Sequence, residues 1–175
     1  ITGANGFIGG SLMRYYQNQG QDVVGVDLVG NGNDIIEGDI AQPDSISHVL
    51  QECDAIIHTA ALVSNAMQDS DMWRVNVLAT RNLIEAAKEH KVRRFVQISS
   101  VVAYGNSAEG ELDESQPVHA DGGSYVLTKL ASEHVVLGAQ ANDDIEVVIL
   151  RPGDAYGPGI KIDSALLKAS ISFSF

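Results

Sequence analysis

The amino-acid sequence predicts an α/β fold, in which a doubly wound parallel sheet carries helices on both of its faces. Short apolar runs alternate along the chain with longer segments of helical period. Several of these runs are continuous and β-branched rather than alternating, which is typical of strands that are covered on both faces. Strands that alternate with helices of this length form βα units with right-handed crossovers. The 175 residues are enough for one such domain.

Five apolar runs are predicted to be strands, and Ile1 and Thr2 form the remnant of a strand before them. The runs are residues 22–28, 34–40, 54–60, 93–100 and 145–152. Segments of helical period separate these strands, at residues 6–20, 43–52, 70–91 and 124–142.

Turn and cap residues mark where these elements end. Gly20 is placed to stop the first helix. Ser70 with Asp71, and residues 121–124, offer N-caps for the two longest helices. The acidic stretch 105–123 is rich in turn formers and predicts a long loop over the edge of the sheet, either functional or merely solvated.

Composition and charge exclude several classes of partner. The chain has 11 Lys and Arg against 23 Asp and Glu, and its net charge of −12 argues against nucleic-acid binding. No segment approaches the roughly 18 unbroken apolar residues that a membrane span needs. Cys53 is the only cysteine, so no intrachain disulfide can form and a reducing cytoplasm is the simplest compartment. We therefore expect a soluble cytoplasmic protein with no metal site.

Glycine stands at every third position near the start, at Gly3, Gly6 and Gly9. These glycines follow a strand and open a helix. A dinucleotide-binding Rossmann fold needs a tight turn, a bare main chain beside the pyrophosphate and close helix packing at this point. The alternative is a glycine-rich turn without a ligand.

An acid at the end of the second strand, Asp27, supports the dinucleotide interpretation. A carboxylate there accepts hydrogen bonds from the adenosine ribose and repels a 2′-phosphate. No Arg or Lys occurs from Asp27 through the next strand. The sequence therefore favours NAD over NADP.

The T-G-x-x-G-x-x-G spacing resembles the extended short-chain dehydrogenase/reductase family, also called the NAD-dependent epimerase/dehydratase family. The match continues in order with GDI at 38–40, HTAA at 58–61, NVLAT at 76–80, ISSVVAYG at 98–105, YVLTK at 125–129 and RPGDAYGPG at 151–159. The resemblance implies an NAD-binding Rossmann domain over residues 1–160. The tail, 161–175, is either the start of an incomplete substrate-binding domain or a set of pieces joined around missing loops.

By this resemblance the cofactor is NAD, and residues from every motif hold it. His58 is expected to be a structural imidazole rather than a second base. The implied cofactor-binding residues are Gly3, Asn5, Gly6, Phe7, Ile8, Gly9, Asp27, Asp39, Ile40, Thr59, Ala60, Ala61, Asn76, Ser99, Tyr125, Lys129, Pro152 and Gly153.

The predicted catalytic residues are Ser100, Tyr125 and Lys129. Tyr125 and Lys129 are four residues apart on a predicted helix, so both side chains leave the same face. The adjacent cation and the positive nicotinamide ring are expected to lower the pKa of the phenol from about 10. The resemblance implies that Tyr125 is the general base, that Lys129 also holds the nicotinamide ribose, and that Ser100 orients the substrate oxygen. Ser99 is the neighbouring hydroxyl with which Ser100 could be confused.

The resemblance implies an enzyme that moves a hydride between nicotinamide C4 and the carbon of a secondary alcohol or ketone. It acts either as a dehydrogenase or as an epimerase, on a sugar nucleotide or on a steroid-like, apolar alcohol. Val101 and Val102 stand where dehydratases of the family carry an acidic pair, which disfavours dehydration. The alternative is a catalytically silent NAD-binding regulatory or structural subunit. Helices 70–90 and 124–142 correspond to those that pair in relatives and imply a homodimer.

Overall fold

Parallel strands form the centre of the protein in the computed structural model, which describes residues 1–63, 69–105, 111–141 and 145–158. Within these ranges the strands are β1 (Gly25–Asp27), β2 (Ile35–Glu37), β3 (Ala55–His58), β4 (Arg94–Ile98) and β5 (Glu146–Leu150). Each lies inside one of the predicted apolar runs. The α/β fold with a parallel sheet is confirmed, while the predicted tail at 161–175 lies outside the described residues.

The first strand of the sheet is reduced to Thr2, which forms parallel bridges to Val26 in β1 and to His58 in β3. β1 pairs with β2 on one side, and β3, β4 and β5 pair in that order on the other. The order across the sheet is therefore β2, β1, Thr2, β3, β4, β5. The chain runs outward in both directions from Thr2, and open α/β sheets bind ligands at such a switch point.

The helices of the described residues cover this sheet. They are α1 (Phe7–Asn18), α2 (Ser47–Leu50), α3 (Asp69–Trp73), α4 (Thr80–Glu89) and α5 (Ser124–Gln140). A π-helical segment, Arg74–Ala79, joins α3 to α4, so that the predicted helix at 70–91 is continuous but locally widened. Short 3₁₀ helices occupy Pro43–Ile46 and Val101–Tyr104. No helix of the described part is both long and apolar enough to cross a membrane.

The predicted helix ends are partly right. Gly20 has φ +68° and donates to the carbonyl of Gln17 just after α1, which confirms it as the helix stop. The expected N-cap at Ser70 and Asp71 is wrong, because α3 already begins at Asp69 and both residues lie in its first turn. The N-cap of α5 is Gly123, whose lack of a side chain leaves the first turn without a side-chain cap.

The hydrophobic core lies between the sheet and helices α2, α4 and α5. Phe95 of β4, Leu83 and Ile84 of α4 and Val136 of α5 are fully buried there. Thr80, Leu83, Ile84 and Ala87 are the buried residues of α4 and recur at helical spacing, so one face of this helix is buried and the other is left to solvent. This packing fixes α5 against the sheet, and α5 carries two of the predicted catalytic residues.

Candidate active site

A cleft of about 830 Å³ opens beside the start of α1, where β1, β3 and β4 end. It brings together most of the residues that the sequence predicted for the cofactor. The predicted residues that line it are Gly3, Asn5, Gly6, Phe7, Ile8, Gly9, Asp27, Asp39, Ile40, Thr59, Ala60, Ala61, Ser99, Tyr125 and Lys129. Ser100, Asn76, Pro152 and Gly153 do not line it.

Sequence reasoning missed part of the lining. Leu62 and Val63 directly follow the predicted HTAA turn, and Ala155 belongs to the 151–159 motif, so their motifs could have indicated them. Arg74 also lines the cleft and stands two residues before Asn76. Among the described lining residues, Arg74 and Lys129 are the cations.

The three glycines of the first motif have three different surroundings. Gly3 has φ +67°, and a Cβ there would stand 2.8 Å from the main chain of Ala60. A Cβ on Gly9 would stand 2.2 Å from the carbonyl oxygen of Gly3. Gly6 meets only that carbonyl oxygen, at 3.0 Å, and leaves its main chain bare towards the cleft. The first N–H groups of α1 are thus accessible to an anion.

Asp27 ends β1 at the rim of the cleft. Its carboxylate accepts hydrogen bonds from the main-chain N–H groups of Asn5, at 2.9 Å, and Leu28, at 2.8 Å. The side-chain amide of Asn5 donates to the carbonyl of Val29, at 2.7 Å, and ties the glycine-rich turn to the loop after β1. A carboxylate has about four acceptor sites, so Asp27 retains capacity for a ligand's hydroxyl groups.

His58 lies beneath the cleft and is fully buried. Its Nδ1 is 2.7 Å from the hydroxyl of Thr2, and its Nε2 is 2.9 Å from that of Thr80. Because Thr80 donates its proton to the carbonyl of Asn76, its oxygen must accept from Nε2–H, which assigns the tautomer. Burial, followed by the charges of Lys129 and the amino terminus, lowers the pKa of His58 from 6.5 to about 3. The ring is therefore neutral and structural, as the sequence analysis expected.

Asn76 also stands behind the cleft. Its side chain accepts from the N–H of Leu62, at 2.7 Å, and donates to the carbonyl of the same residue, at 3.0 Å. It donates as well to the hydroxyl of Thr128 in α5, at 3.1 Å. The structure thus places Asn76 where it holds the loop after β3 against α5, rather than on the surface of the cleft.

Tyr125 and Lys129 both face the cleft from α5. The Lys129 ammonium donates to the carbonyl of Ile98, at 3.0 Å, and lies 5.8 Å from the centre of the Tyr125 ring. Burial lowers the pKa of Lys129 to about 8, against an opposing effect of the Glu133 carboxylate. Lys129 is therefore mostly charged at neutral pH.

The pKa of Tyr125 corrects one expectation. Burial raises the pKa of this phenol above its ordinary value of 10. The adjacent cation and the nicotinamide ring were expected to lower the pKa, but in the chain alone the loss of hydration on burial sets its direction, and the Lys129 ammonium donates instead to the carbonyl of Ile98. In the chain without cofactor, Tyr125 is a protonated phenol at neutral pH.

The two adjacent serines have different surroundings. The Ser100 hydroxyl accepts from the N–H of Val102, at 3.3 Å, and caps the 3₁₀ helix that follows. Ser99 is among the residues that line the cleft, while its hydroxyl oxygen is buried and has no hydrogen-bond partner in the structure. Buried polar groups without partners are rare in native proteins.

Comparison with known proteins decides the family. The profile of the NAD-dependent epimerase/dehydratase family matches residues 1–172. The chain belongs to this family. Its membership confirms the predicted resemblance, and the family's dependence on NAD agrees with the cofactor that the sequence favoured.

Individual members of the family resemble the chain at moderate identity. A dTDP-glucose 4,6-dehydratase of Streptomyces niveus is 31% identical over 181 residues, covering 90% of this chain and 54% of that protein. Sterol demethylase protein B of Methylococcus capsulatus is 33% identical over 173 residues, covering 90% and 51%. The structure of MoeE5 in complex with UDP-glucuronic acid and NAD aligns with a TM-score of 0.85 and 34% identity, covering 95% and 58%. The chain thus spans about half the length of the curated relatives it matches.

The cleft of this epimerase/dehydratase chain fits an adenine dinucleotide in three respects. The main chain at Gly6 is bare beside the start of α1, where a diphosphate is stabilised by N–H groups. The Asp27 carboxylate stands at the end of β1 with spare acceptor capacity. The Lys129 ammonium lines the same cleft and keeps two N–H donors beyond its bond to Ile98. The residues present are therefore compatible with the family's cofactor.

Proposed function

We propose that the chain forms the NAD-binding and catalytic part of an oxidoreductase or epimerase. The enzyme moves a hydride between nicotinamide C4 and the carbon of a secondary alcohol or ketone. The observation that carries this proposal is that one cleft contains the glycine-rich turn, the Tyr125 phenol and the buried Lys129 ammonium. Burial of an ammonium group costs free energy of desolvation, so fold stability alone does not explain why one lies beside a phenol where the strands end.

Each end of the cleft has a proposed part in holding the cofactor. The turn at Gly6 and the start of α1 receive the diphosphate, and Asp27 accepts from the adenosine ribose hydroxyls. Lys129, which keeps two N–H donors beyond its bond to Ile98, binds the nicotinamide ribose. Bound NAD supplies the hydride acceptor of the reaction. The roles of Pro152 and Gly153 near the nicotinamide stay predictions, and Ala155 is the residue of their motif that lines the cleft.

Tyr125 is the proposed proton carrier. When substrate is oxidised, its hydroxyl proton passes to the Tyr125 oxygen while the hydride leaves the adjacent carbon. When the ketone is reduced, the same phenol returns a proton to the carbonyl oxygen. The raised pKa of the buried phenol favours the second direction, and the charged Lys129 nearby favours the first. Tyr125 therefore needs the positive charges of the assembled site in order to act as a base.

A serine hydroxyl is proposed to orient the substrate oxygen. The family resemblance implies Ser100, while Ser99 is the neighbouring residue that lines the cleft. The Ser100 oxygen accepts from the N–H of Val102, so its O–H proton is still available to donate to a substrate oxygen. We therefore propose Ser100 for this part, with Ser99 as the neighbouring alternative, and both serines are to be tested.

A sugar nucleotide is the first proposed substrate, supported by the relatives that act on or bind dTDP-glucose and UDP-glucuronic acid. An apolar alcohol is the second, supported by the sterol demethylase relative and by Leu62 and Val63 in the lining. Val101 and Val102 cannot transfer protons, so we propose redox or epimerase chemistry without loss of water.

Apolar side chains exposed on the long helices, such as Trp73 and Leu127, support a homodimer. The dimer and the cytoplasmic location stay predictions.

Substitution of Tyr125 by phenylalanine tests the proposal. The change removes only the hydroxyl, so we expect the affinity for NAD to stay within about threefold and turnover to fall by about 10²–10⁴-fold, the usual contribution of a positioned acid or base. Calorimetry measures NAD affinity. Turnover of UDP-glucose and UDP-glucuronic acid is followed by NADH absorbance and by product analysis.

Control variants and product analysis distinguish the remaining interpretations of the site and of the reaction. Tyr156→Phe, at a tyrosine that is 85% exposed, should turn over like the unmodified protein. Ser99→Ala and Ser100→Ala in the same assay distinguish the two hydroxyls. Net NADH indicates a dehydrogenase, and its absence during product formation indicates an epimerase. Wild-type turnover by Tyr125→Phe would contradict the mechanism, and NAD binding without turnover of sugar nucleotides or apolar alcohols would favour the silent subunit.

A further inference from the structure

A buried ion pair lies immediately behind the site. The guanidinium of Arg151 donates through Nε and Nη2 to the two oxygens of Glu133, at 3.0 and 2.8 Å. Its remaining nitrogen, Nη1, donates to the hydroxyl of Tyr104, at 2.9 Å, and its central carbon lies 4.8 Å from the centre of that ring. The Glu133 side chain is only 2% exposed. All three nitrogen atoms of the Arg151 guanidinium thus donate a hydrogen bond.

The three members come from three segments that each carry a predicted site residue. Glu133 lies one turn beyond Lys129 on α5. Arg151 is the first residue after β5 and directly precedes Pro152. Tyr104 ends the 3₁₀ helix that Ser100 caps. The pair therefore joins α5 to the two loops that leave the ends of β4 and β5.

A buried pair of this kind is sensitive to the loss of one partner, because the remaining charge is then left without compensation. The chain contains a matched pair for comparison. Arg94 donates through Nε and Nη2 to Glu146, at 3.0 and 2.8 Å, between the first residues of β4 and β5. Both side chains of this second pair are more than half exposed, and exposed pairs contribute little.

We propose that Glu133 and Arg151 are positioning residues for Lys129, which hold its helix and its charge in register with the loops that border the cleft. This inference rests on the proposed function. Neither residue lines the cleft, so neither is assigned a catalytic role. A forked pair fixes the relative orientation of two segments, and displacements of about 1 Å can cost about 100-fold in rate.

The charges around Lys129 give this inference a measurable consequence. Glu133 is the carboxylate that favours the protonated form of Lys129. His58 packs beneath as a neutral ring, Tyr125 is a protonated phenol, and the charge of Arg151 is balanced by Glu133. Glu133→Gln removes one negative charge and leaves Arg151 uncompensated. Both effects disfavour the ammonium form, so the pKa of Lys129 should fall.

The test is the pH dependence of NAD affinity, measured by calorimetry between pH 6 and 9.5. In the unmodified protein we expect affinity to weaken as the pH rises through about 8, where Lys129 loses its proton. In Glu133→Gln this loss should begin about one pH unit lower, the smaller end of the effect of a close charge, so that affinity at pH 8 falls about fivefold. Glu146→Gln, the same change in the exposed pair, should match the unmodified protein.

The outcomes separate the inference from the proposed function. An unchanged pH midpoint in Glu133→Gln overturns the inference, even if the melting temperature falls, because a merely structural pair would lower stability alone. An affinity that stays flat with pH in the unmodified protein also overturns it, while NAD binding itself stands. Failure of the unmodified protein to bind NAD removes the proposed function and the inference together. If Glu133→Gln does not fold, Arg151→Gln, which removes the competing cation and leaves the Glu133 charge to Lys129, is expected to shift the same midpoint upward, and an unchanged midpoint in that variant overturns the inference.

Discussion

Replacement of Gly9 by alanine tests how closely α1 approaches the glycine-rich turn. The added Cβ would lie 2.2 Å from the carbonyl oxygen of Gly3 and 2.8 Å from the Thr59 hydroxyl. Favourable contacts between nonbonded heavy atoms begin at roughly 3.5 Å, so the turn and the helix would have to separate by about 1 Å. The Gly3 atom is main chain and the Thr59 hydroxyl donates to the carbonyl of Thr2, so rotation of a side chain cannot relieve the contact.

The expected loss of stability follows from two opposing terms. Overpacking a close contact costs typically 1–3 kcal/mol, and a clash with main-chain atoms belongs at about 3 kcal/mol. Alanine within a helix recovers about 1 kcal/mol relative to glycine. The net loss is then about 2 kcal/mol, which for a chain of this size lowers the melting temperature by about 4–8 °C.

Calorimetric melting of Gly9→Ala and of a matched variant, Gly138→Ala, measures this effect. Gly138 lies in α5, and a Cβ there would meet nothing within 4 Å. Gly138→Ala should therefore keep or raise the melting temperature, by up to about 1 kcal/mol of stability. A Gly9→Ala protein that melts at or above the unmodified protein would refute the close packing inferred at this turn.

Two further predictions concern His58 and Asp27. The folded-state pKa of His58 is depressed to about 3, so the unfolded chain takes up a proton that the buried ring does not. Stability is complete above pH 6.5 and falls by about 1.4 kcal/mol per unit as the pH drops below it. In denaturant unfolding from pH 5 to 8, His58→Gln should lose this slope, and an unaltered slope would disprove the assignment. Asp27→Ala should weaken NAD binding about tenfold or more, the usual effect of losing hydrogen bonds to a charged group, and should narrow the preference for NAD over NADP. Calorimetry with both cofactors measures this, with exposed Asp44→Ala as the control, and an unchanged ratio would count against Asp27 as the selector.

Several features were readable from the sequence because they depend on local pattern. The continuous apolar runs predicted every described strand. A strand that is buried on both faces is apolar along its length, so its own residues are enough to identify it. Gly3, Gly6 and Gly9 predicted a tight turn before a helix, and Asp27 marked the end of β1. The same glycine spacing located the cleft, because a bare main chain at a helix start follows from the residues themselves.

Other features were decided only by packing between distant segments. Successive side chains of extended backbone point to opposite sides, so only the packing showed that the Ser99 hydroxyl is buried without a partner while the Ser100 hydroxyl caps the following 3₁₀ helix. The π-helical segment, which no local pattern indicated, is where Asn76 turns towards Leu62. A helical pattern alone could not show the burial that sets the pKa of Tyr125.

The sequence by itself determined the order of strands and helices, the position of the glycine-rich turn and the types of residue available for proton transfer. Only the tertiary structure decided which of these residues meet in the cleft and which support it from behind. Glu133 and Arg151 lie 18 positions apart in the chain and become partners only when α5 packs beside β5. The physical reason is that local patterns report backbone geometry, whereas hydration and charge at a site depend on neighbours that folding brings together from remote parts of the chain.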